Sequence, residues 1–252
     1  MSGTIGGIVR VRQVCPNGPR AAADGVVVPL VPQAMAQSAA EAVAAGATRI
    51  HVRPKTPCGR DSVSPRMVAA AVDAIRARVD VPVGAPTGAR AEPDPAVRLD
   101  RVRHWEVLPG FASVGRHEPG AEQPAAALLD LGAGVEAGIR SGTDGAARFA
   151  TWPLGPKVLR VPAKVTDRYP QTAEQSARGL PTGLGDAHGR PVLLRGEEGG
   201  ARPVLRPAGR LGLAARIRLE DTPSLPDGQQ RALSNAQLVA VVLREHTGDR
   251  RP

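Results

Sequence analysis

The chain has 252 residues, and its 33 lysines and arginines against 24 acids give a formal charge of +9. The length fits one large domain or two small ones, and it is common among α/β barrels. The charge would suit a nucleic acid, but the arginines are scattered and no basic run is interleaved with aromatic residues. Nucleic-acid binding is therefore not favoured.

The cysteine content and the apolar runs bear on where the protein works. Cys15 and Cys58 are too few and too far apart for a disulfide framework or a thiolate zinc site, so a reducing cytoplasm is expected. The longest early apolar run, VVVPLV from Val26, is short and is broken by Pro29. Neither export nor membrane spanning is indicated.

Short β-branched runs alternate along the chain with longer segments rich in Ala, Leu and Arg, which is the pattern of βα units with a parallel sheet. The predicted strands, in chain order, are 8–15, 48–53, 81–86, 110–115, 134–139, 157–164, 190–197 and 215–221. The predicted helices are 32–46, 64–79, 95–106, 121–132, 142–151, 172–179, 200–212 and 234–246.

Eight such units predict a single α/β domain over residues 1–252, a (βα)8 TIM barrel. A doubly wound open sheet is the alternative. The first strand lacks the glycine-rich phosphate turn and the following acid that a dinucleotide-binding fold would show, so the barrel is favoured.

Polar side chains collect where the predicted strands end, which is where a barrel places its chemistry. They are His51 and Arg53 after strand two, Thr87 and Gly88 after strand three, Arg116, His117 and Glu118 after strand four, Glu136 on strand five, Arg195 and Glu197 on strand seven, and Glu220 and Asp221 on strand eight. A carboxylate at a strand end is costly to desolvate unless a cation, a metal or a substrate proton meets it. We therefore expect a functional site on this face.

The segments ATRIHVRPKTPCGRDS, APTGA, EPDPAVRLDRVRHWEVLPGFASV, HEPGAE, PVLLRGE and RIRLEDTPSLPDG with the later SNAQLV resemble the β-keto acid cleavage enzymes, which include 3-keto-5-aminohexanoate cleavage enzyme. The likeness runs from about Cys15 to about His246. It implies a (βα)8 barrel, a homo-oligomer and one divalent metal, usually Zn2+. It also implies acyl transfer, in which a β-keto acid and an acyl-CoA become acetoacetate and a new acyl-CoA.

The resemblance also implies roles for particular residues. His51 and Glu220 correspond to metal ligands, Asp221 to the acid/base residue with Arg216 as its partner, and Thr87 and Gly88 to substrate-binding positions. A metal held by an imidazole and a carboxylate from nearby strands would polarise a keto oxygen as a Lewis acid.

Four positions depart from the family pattern on this same face. The family's His-x-His is His51-Val52-Arg53 here, and a guanidinium has no lone pair with which to bind a cation. Pro86 replaces a serine, Arg218 stands where glycine is usual, and Arg195 occupies what looks like a histidine position.

These departures leave three interpretations open. In the first, a working enzyme has a rearranged site in which His117 or Glu118 supplies the missing ligand. In the second, a metal-free barrel binds a small carboxylate or phosphate without catalysis, at a mouth lined by Arg49, Arg53, Arg195 and Arg218. In the third, only the fold is shared. Internal ion pairs are also open, with Glu220 bound to Arg53 or Arg218 and Glu136 bound to Arg160 or Lys164.

Overall fold

The computed structural model of the protein describes residues 10–18, 28–216, 225 and 230–247. Eight strands alternate with eight α-helices. The strands are β1 Arg10–Val14, β2 Arg49–His51, β3 Val83–Pro86, β4 Phe111–Gly115, β5 Gly134–Arg140, β6 Val161–Lys164, β7 Val192–Arg195 and β8 Ala214–Arg216. The helices are α1 Pro32–Ala44, α2 Pro65–Arg76, α3 Pro95–Arg103, α4 Glu122–Asp130, α5 Gly145–Ala150, α6 Pro170–Gly183, α7 Leu205–Arg210 and α8 Asn235–Thr247.

The strands pair in sequence order, all parallel, and β8 pairs with β1 to close the barrel. The predicted (βα)8 TIM barrel is therefore confirmed. The first strand lies between the second and the eighth, since Gln13 is paired with Arg49 on one side and with Arg216 on the other. Ends of strands that are distant in sequence thus meet at one mouth.

Proline sets the start of several helices. Pro32, Pro65, Pro95 and Pro170 each occupy the first helical turn, where the missing N–H is not needed and the fixed φ suits the helix. The carboxylate of Asp94 caps α3 by accepting from two backbone N–H groups. The predicted start at Ser64 and Pro65 is confirmed in position, although the Ser64 side chain makes no capping hydrogen bond.

The apolar core lies between the sheet and the ring of helices. Val135, Ala137 and Ile139 are fully buried on the outer face of β5, and β4 and the packed helices present small aliphatic side chains in the same way. Because strand side chains alternate between faces, the residues between them point into the barrel. Glu136 is one of these, so the barrel interior is polar where the outer layer is apolar.

Helix six is longer than predicted and helix seven begins later, at Leu205. The start of strand six also needs correction. Strand six was expected to begin at Lys157, but Gly155–Lys157 forms a 3-10 turn and β6 begins at Val161. Pro156 has no N–H to donate to a strand ladder, and the turn ends at Val158 in an extended conformation. Among the described residues, no helix is long and apolar enough to cross a membrane.

Candidate active site

A cavity of about 800 Å³ opens at the carboxyl ends of the strands. Its lining comes from seven of the eight strands or the loops that follow them, from His51 near β2 to Arg216 in β8. In (βα)8 barrel enzymes the active site lies on this face. Most of the described polar groups predicted at the strand ends share this cavity, whereas Thr87, Arg116 and Glu136 do not line it.

A chain of buried hydrogen bonds forms around Glu136, whose side chain is fully buried. Its Oε1 accepts from Gln13 Nε2 at 3.0 Å and from Arg160 Nε at 2.5 Å. Its Oε2 accepts from the Ser113 hydroxyl at 2.8 Å. Strand register explains the last contact, since Ser113 and Glu136 are paired residues of β4 and β5. The prediction that Glu136 pairs with Arg160 or Lys164 is confirmed for Arg160.

The same chain continues to the imidazole of His51. His51 Nε2 lies 2.7 Å from Ser113 Oγ. Because the Ser113 proton is already directed to the carboxylate of Glu136, the hydroxyl oxygen must accept here. The proton of the His51 ring is thereby assigned to Nε2, and Ser113 is a bridge through which His51 and Glu136 are coupled.

On the other side of Glu136, the chain reaches the last strand. Gln13 accepts at Oε1 from Arg216 Nη1 at 3.0 Å while its amide donates to Glu136. Arg216 was predicted as a catalytic group, and it is 5% exposed and lines the cavity. Its described contact is thus with Gln13, and its predicted partner, Asp221, lies outside the described residues.

Phe111 closes the barrel beneath this layer. Its ring lies 6.1 Å from the His51 ring, and the Arg160 guanidinium carbon lies 5.0 Å from its centroid. Gly84 makes room for it, because a Cβ there would fall 2.1 Å from Phe111 Cε2. The glycine is therefore needed for packing, and the ring gives the polar layer an apolar floor.

Three basic side chains stand in a row on the opposite part of the mouth. Arg140 in β5 is paired with Lys164 in β6, and Lys164 is paired with Arg195 in β7. All three line the cavity, and Lys164 Nζ forms an ion pair with Glu197 Oε2. Burial, followed by the charge of Arg195, lowers the pKa of Lys164 to about 8, while Glu197 opposes the shift.

His117 and Glu118 follow β4 and face the same cavity. Burial, followed by the charge of Arg140, lowers the pKa of His117 below its ordinary value, so the imidazole is neutral at pH 7. His117 Nδ1 is buried and has no hydrogen-bond partner among the described residues. Glu118 Oε2 accepts from the backbone N–H of Ala89 at 2.9 Å, which fixes the loop after β3.

Arg53 is held by an acid in its own loop. Its Nε and Nη2 donate to Asp61 Oδ2 at 3.0 and 2.6 Å, and Lys55 Nζ donates to Asp61 Oδ1 at 2.7 Å. Burial alone would raise the pKa of Asp61, but Arg53 and Lys55 more than offset this and lower the pKa below its ordinary value. Asn17 adds two hydrogen bonds to the Arg53 backbone. The guanidinium thus neutralises a buried carboxylate and anchors the loop after β2.

This geometry bears on the expected zinc. Of the three positions that the resemblance assigns to metal ligands, His51 faces the cavity, Arg53 is bound to Asp61, and Glu220 lies outside the described residues. Within the described ranges, no group of three His, Cys, Asp or Glu side chains is placed to hold a metal ion. The described residues do not fit the implied metal, and zinc stays a prediction from the resemblance.

The two predicted substrate-binding residues differ in position. Thr87 is 2% exposed, and its hydroxyl donates to the Ser113 backbone oxygen at 3.1 Å, so it supports β4 and does not line the cavity. Gly88 does line the cavity, and a Cβ there would fall 3.2 Å from Glu118 Oε1. Pro86 is also a lining residue, while Arg49 is not among the described residues that line it.

Sequence reasoning missed three groups that the structure brings into the site. Ser113 lies two residues after Phe111 on the inward face of β4, so strand alternation could have found it. Gln13 has the same inward position on β1. Lys164 was considered only as a partner of Glu136, and its place in a row of three cations follows from register, which the sequence does not show. Arg218 and Asp221 lie outside the described residues.

The fold and the site together define a (βα)8 barrel with a polar cavity at its carboxyl mouth, the position where barrels of known function act. The family model of the beta-keto acid cleavage enzymes matches residues 11–132, which supports membership of that family. The matched segment runs from β1 through α4 and contains His51 and Ser113. This match supports a function of the β-keto acid cleavage type in general.

Similar solved structures share the fold at low identity. Type I 3-dehydroquinate dehydratase from Clostridium difficile matches with a TM-score of 0.60 at 12% identity, over 96% of this chain and 95% of that one. GH5_18 from Streptomyces cattleya matches with a TM-score of 0.54 at 12% identity, over 97% and 82%. No curated protein matches the chain. These likenesses concern the barrel alone.

Proposed function

We propose that the protein exchanges the acyl chain of a β-keto acid with that of an acyl-CoA at the mouth cavity. In the reaction, the bond between the keto carbon and the neighbouring CH2 breaks, and a bond between that CH2 and the acetyl carbon forms. The C–S bond of acetyl-CoA breaks, and the CoA sulfur forms a new thioester bond with the former keto carbon, so the products are acetoacetate and a new acyl-CoA. The observation that carries the proposal is the family match over the segment that supplies His51 and Ser113.

The basic row supports binding of the substrate carboxylate. Arg140, Lys164 and Arg195 are adjacent on three strands and face the cavity. Lys164 is paired there with Glu197. A substrate carboxylate would add charge-assisted hydrogen bonds, which are the strong ones in a partly buried site.

The polar chain at the floor supports proton handling. A keto oxygen that gains negative charge during C–C cleavage needs a donor, and the CH2 that leaves needs a place for its charge. His51 faces the cavity and is coupled to Glu136 through Ser113, so a proton taken at the imidazole is balanced by a fixed carboxylate.

The direct test incubates the protein with acetyl-CoA and a panel of β-keto acids and measures acetoacetate and new acyl-CoA by mass spectrometry. We expect exchange by the wild type, and at least a tenfold loss in kcat for Ser113→Ala, which breaks the coupling of His51 to Glu136. Thr172→Ala, at an exposed position of α6 that does not line the cavity, is the control and should keep full activity. Absence of exchange with every acid tested would refute the proposal.

A second candidate is a metal-free barrel that binds a small anion without turnover. The observation favouring it is that Arg53 is committed to Asp61 and the basic row faces the cavity. Metal analysis of the purified protein beside an Arg53→His variant separates the two. Stoichiometric zinc in the wild type would support the family chemistry. Acetoacetate binding without zinc and without exchange would support the anion-binding barrel.

A further inference from the structure

Lys164 lies between two arginines in the cavity. It ends β6 between Arg140 and Arg195, and the hydrogen bonds from Ser141 N and Val165 N at 2.8 Å hold the three strands in this register. Neighbouring strands lie about 4.8 Å apart. Two guanidinium groups therefore flank one amine, and all three reach the same space.

The other two lysines of the sequence are differently placed. Lys55 is 6% exposed and is tied to Asp61 and to the Gly18 backbone oxygen. Lys157 lies on the exposed 3-10 turn before β6. Of the three, Lys164 alone is a lining residue of the cavity. Lys164 is thus the lysine amine that lies where a bound keto acid would lie.

We propose that Lys164 is a nucleophile that forms an imine with the keto carbon of a keto acid bound in the mouth cavity. This inference rests on the proposed function, because the β-keto acid supplies the ketone. It adds a covalent site that acyl exchange does not require. Arg195 and Arg140 would bind the carboxylate beside the reacting carbon. They are not themselves candidates for the nucleophile, because a guanidinium does not form an imine.

The environment of Lys164 favours a reactive amine. Burial, then Arg195, and then Arg140 disfavour the ammonium form, whereas Glu197 favours it, and the pKa falls from 10.5 to about 8. About a tenth of the amine is then neutral at pH 7, against well under a thousandth for an ordinary lysine. His117 also faces this space and is neutral at pH 7, so it adds no positive charge. Desolvation beside other cations is a known way to activate a lysine.

Imine formation from a lysine amine and a ketone needs no cofactor. The neutral amine of Lys164 attacks the keto carbon, the carbonyl electron pair moves to oxygen, and a carbinolamine forms. The oxygen then leaves as water, taking up protons from the amine and from the surroundings, and a C=N bond to Nζ replaces the C=O bond. Glu197, in contact with Nζ, is placed to take and return the proton. The resulting iminium withdraws electrons from the adjacent CH2, whose protons become exchangeable.

The test traps this imine in the full-length protein. Wild-type protein is mixed with acetoacetate and sodium cyanoborohydride, without CoA, and examined by intact-mass measurement and peptide mapping. We expect one stable adduct, on the peptide containing Lys164, and a labelling rate that rises with pH and levels off above about 8. Lys164→Arg, which keeps the positive charge beside Glu197, should lose the adduct, and Lys157→Arg should keep it.

The outcomes separate this inference from the proposed function. An adduct on Lys164 supports the imine, whether or not acyl exchange with acetyl-CoA is seen. Exchange without an adduct overturns the imine and leaves the exchange proposal intact. Equal labelling of Lys157 and Lys164 also overturns the imine, because it would show ordinary surface chemistry. Since the decisive mapping is done on the wild type, a variant that fails to fold does not change the result.

Discussion

Replacing Glu136 with glutamine tests whether the buried polar chain depends on a charge. Glu136 and Arg160 are 0% and 6% exposed at their side chains, and three donors converge on the carboxylate. Glutamine keeps the size but replaces one acceptor oxygen with a donor, and it leaves Arg160 as a buried cation without its anion. Arg160 Nη2 already has no hydrogen-bond partner among the described residues, so the guanidinium would have few other hydrogen bonds to stabilise its charge. Breaking a buried pair from one side costs about 3–5 kcal/mol.

The assay is equilibrium unfolding in urea at pH 7 for Glu136→Gln, Arg160→Met and the double variant. We expect each single variant to lose about 3–5 kcal/mol, and the double variant to lose no more than either, because removing both charges leaves none uncompensated. Glu174→Gln removes a surface pair with Arg178 and should cause no measurable change. A loss under about 1 kcal/mol for Glu136→Gln, or a double variant that loses the sum, would refute the reasoning.

Two further stability changes are expected. Asp61→Asn should destabilise the protein by about 3 kcal/mol at pH 7, since Arg53 and Lys55 lose their anion. Because the native pKa of Asp61 is lowered, the difference in free energy of unfolding between wild type and variant should be complete above about pH 4 and should decrease as the pH falls through the native pKa. Urea unfolding at several pH values measures this difference, and an increase on acidification would contradict the reasoning. Gly84→Ala should cost about 1–3 kcal/mol in the same assay, because its Cβ meets the Phe111 ring. Gly179→Ala is the comparison, because a Cβ there has open space around it and the backbone φ is not positive.

The architecture was predictable from the sequence because barrel units repeat the same local signals. Eight β-branched runs, each followed by an Ala- and Leu-rich segment, gave the element order, and Pro65 and Pro95 fixed helix starts through their own backbone constraints. Strand six was placed too early, since the run KVLR is apolar enough for a strand but follows Pro156 in a 3-10 turn. Local propensity does not decide between the two.

The site was only partly predictable, because its contacts depend on register and on loop conformation. His51 and Arg216 were expected at the mouth, and both line the cavity. Strand alternation could place Ser113 on the inward face of β4, but its role comes from pairing with Glu136, which the sequence does not show. The partner of Arg53 lies eight residues further on, across a loop whose path the sequence does not specify.

The position of Arg53 connects the two proposals about chemistry. A metal at the mouth and a protonated imine do the same electronic work, since each withdraws electrons from the keto carbon. The guanidinium at the second ligand position is bound to Asp61, so His51 is the imidazole that β2 supplies to the mouth. Lys164 lies on β6, four strands away and so across the barrel from β2. A keto acid held by Arg195 would present its carbonyl to that amine while His51 lies on the opposite wall, so the imine that we propose would activate the keto carbon from the β6 side.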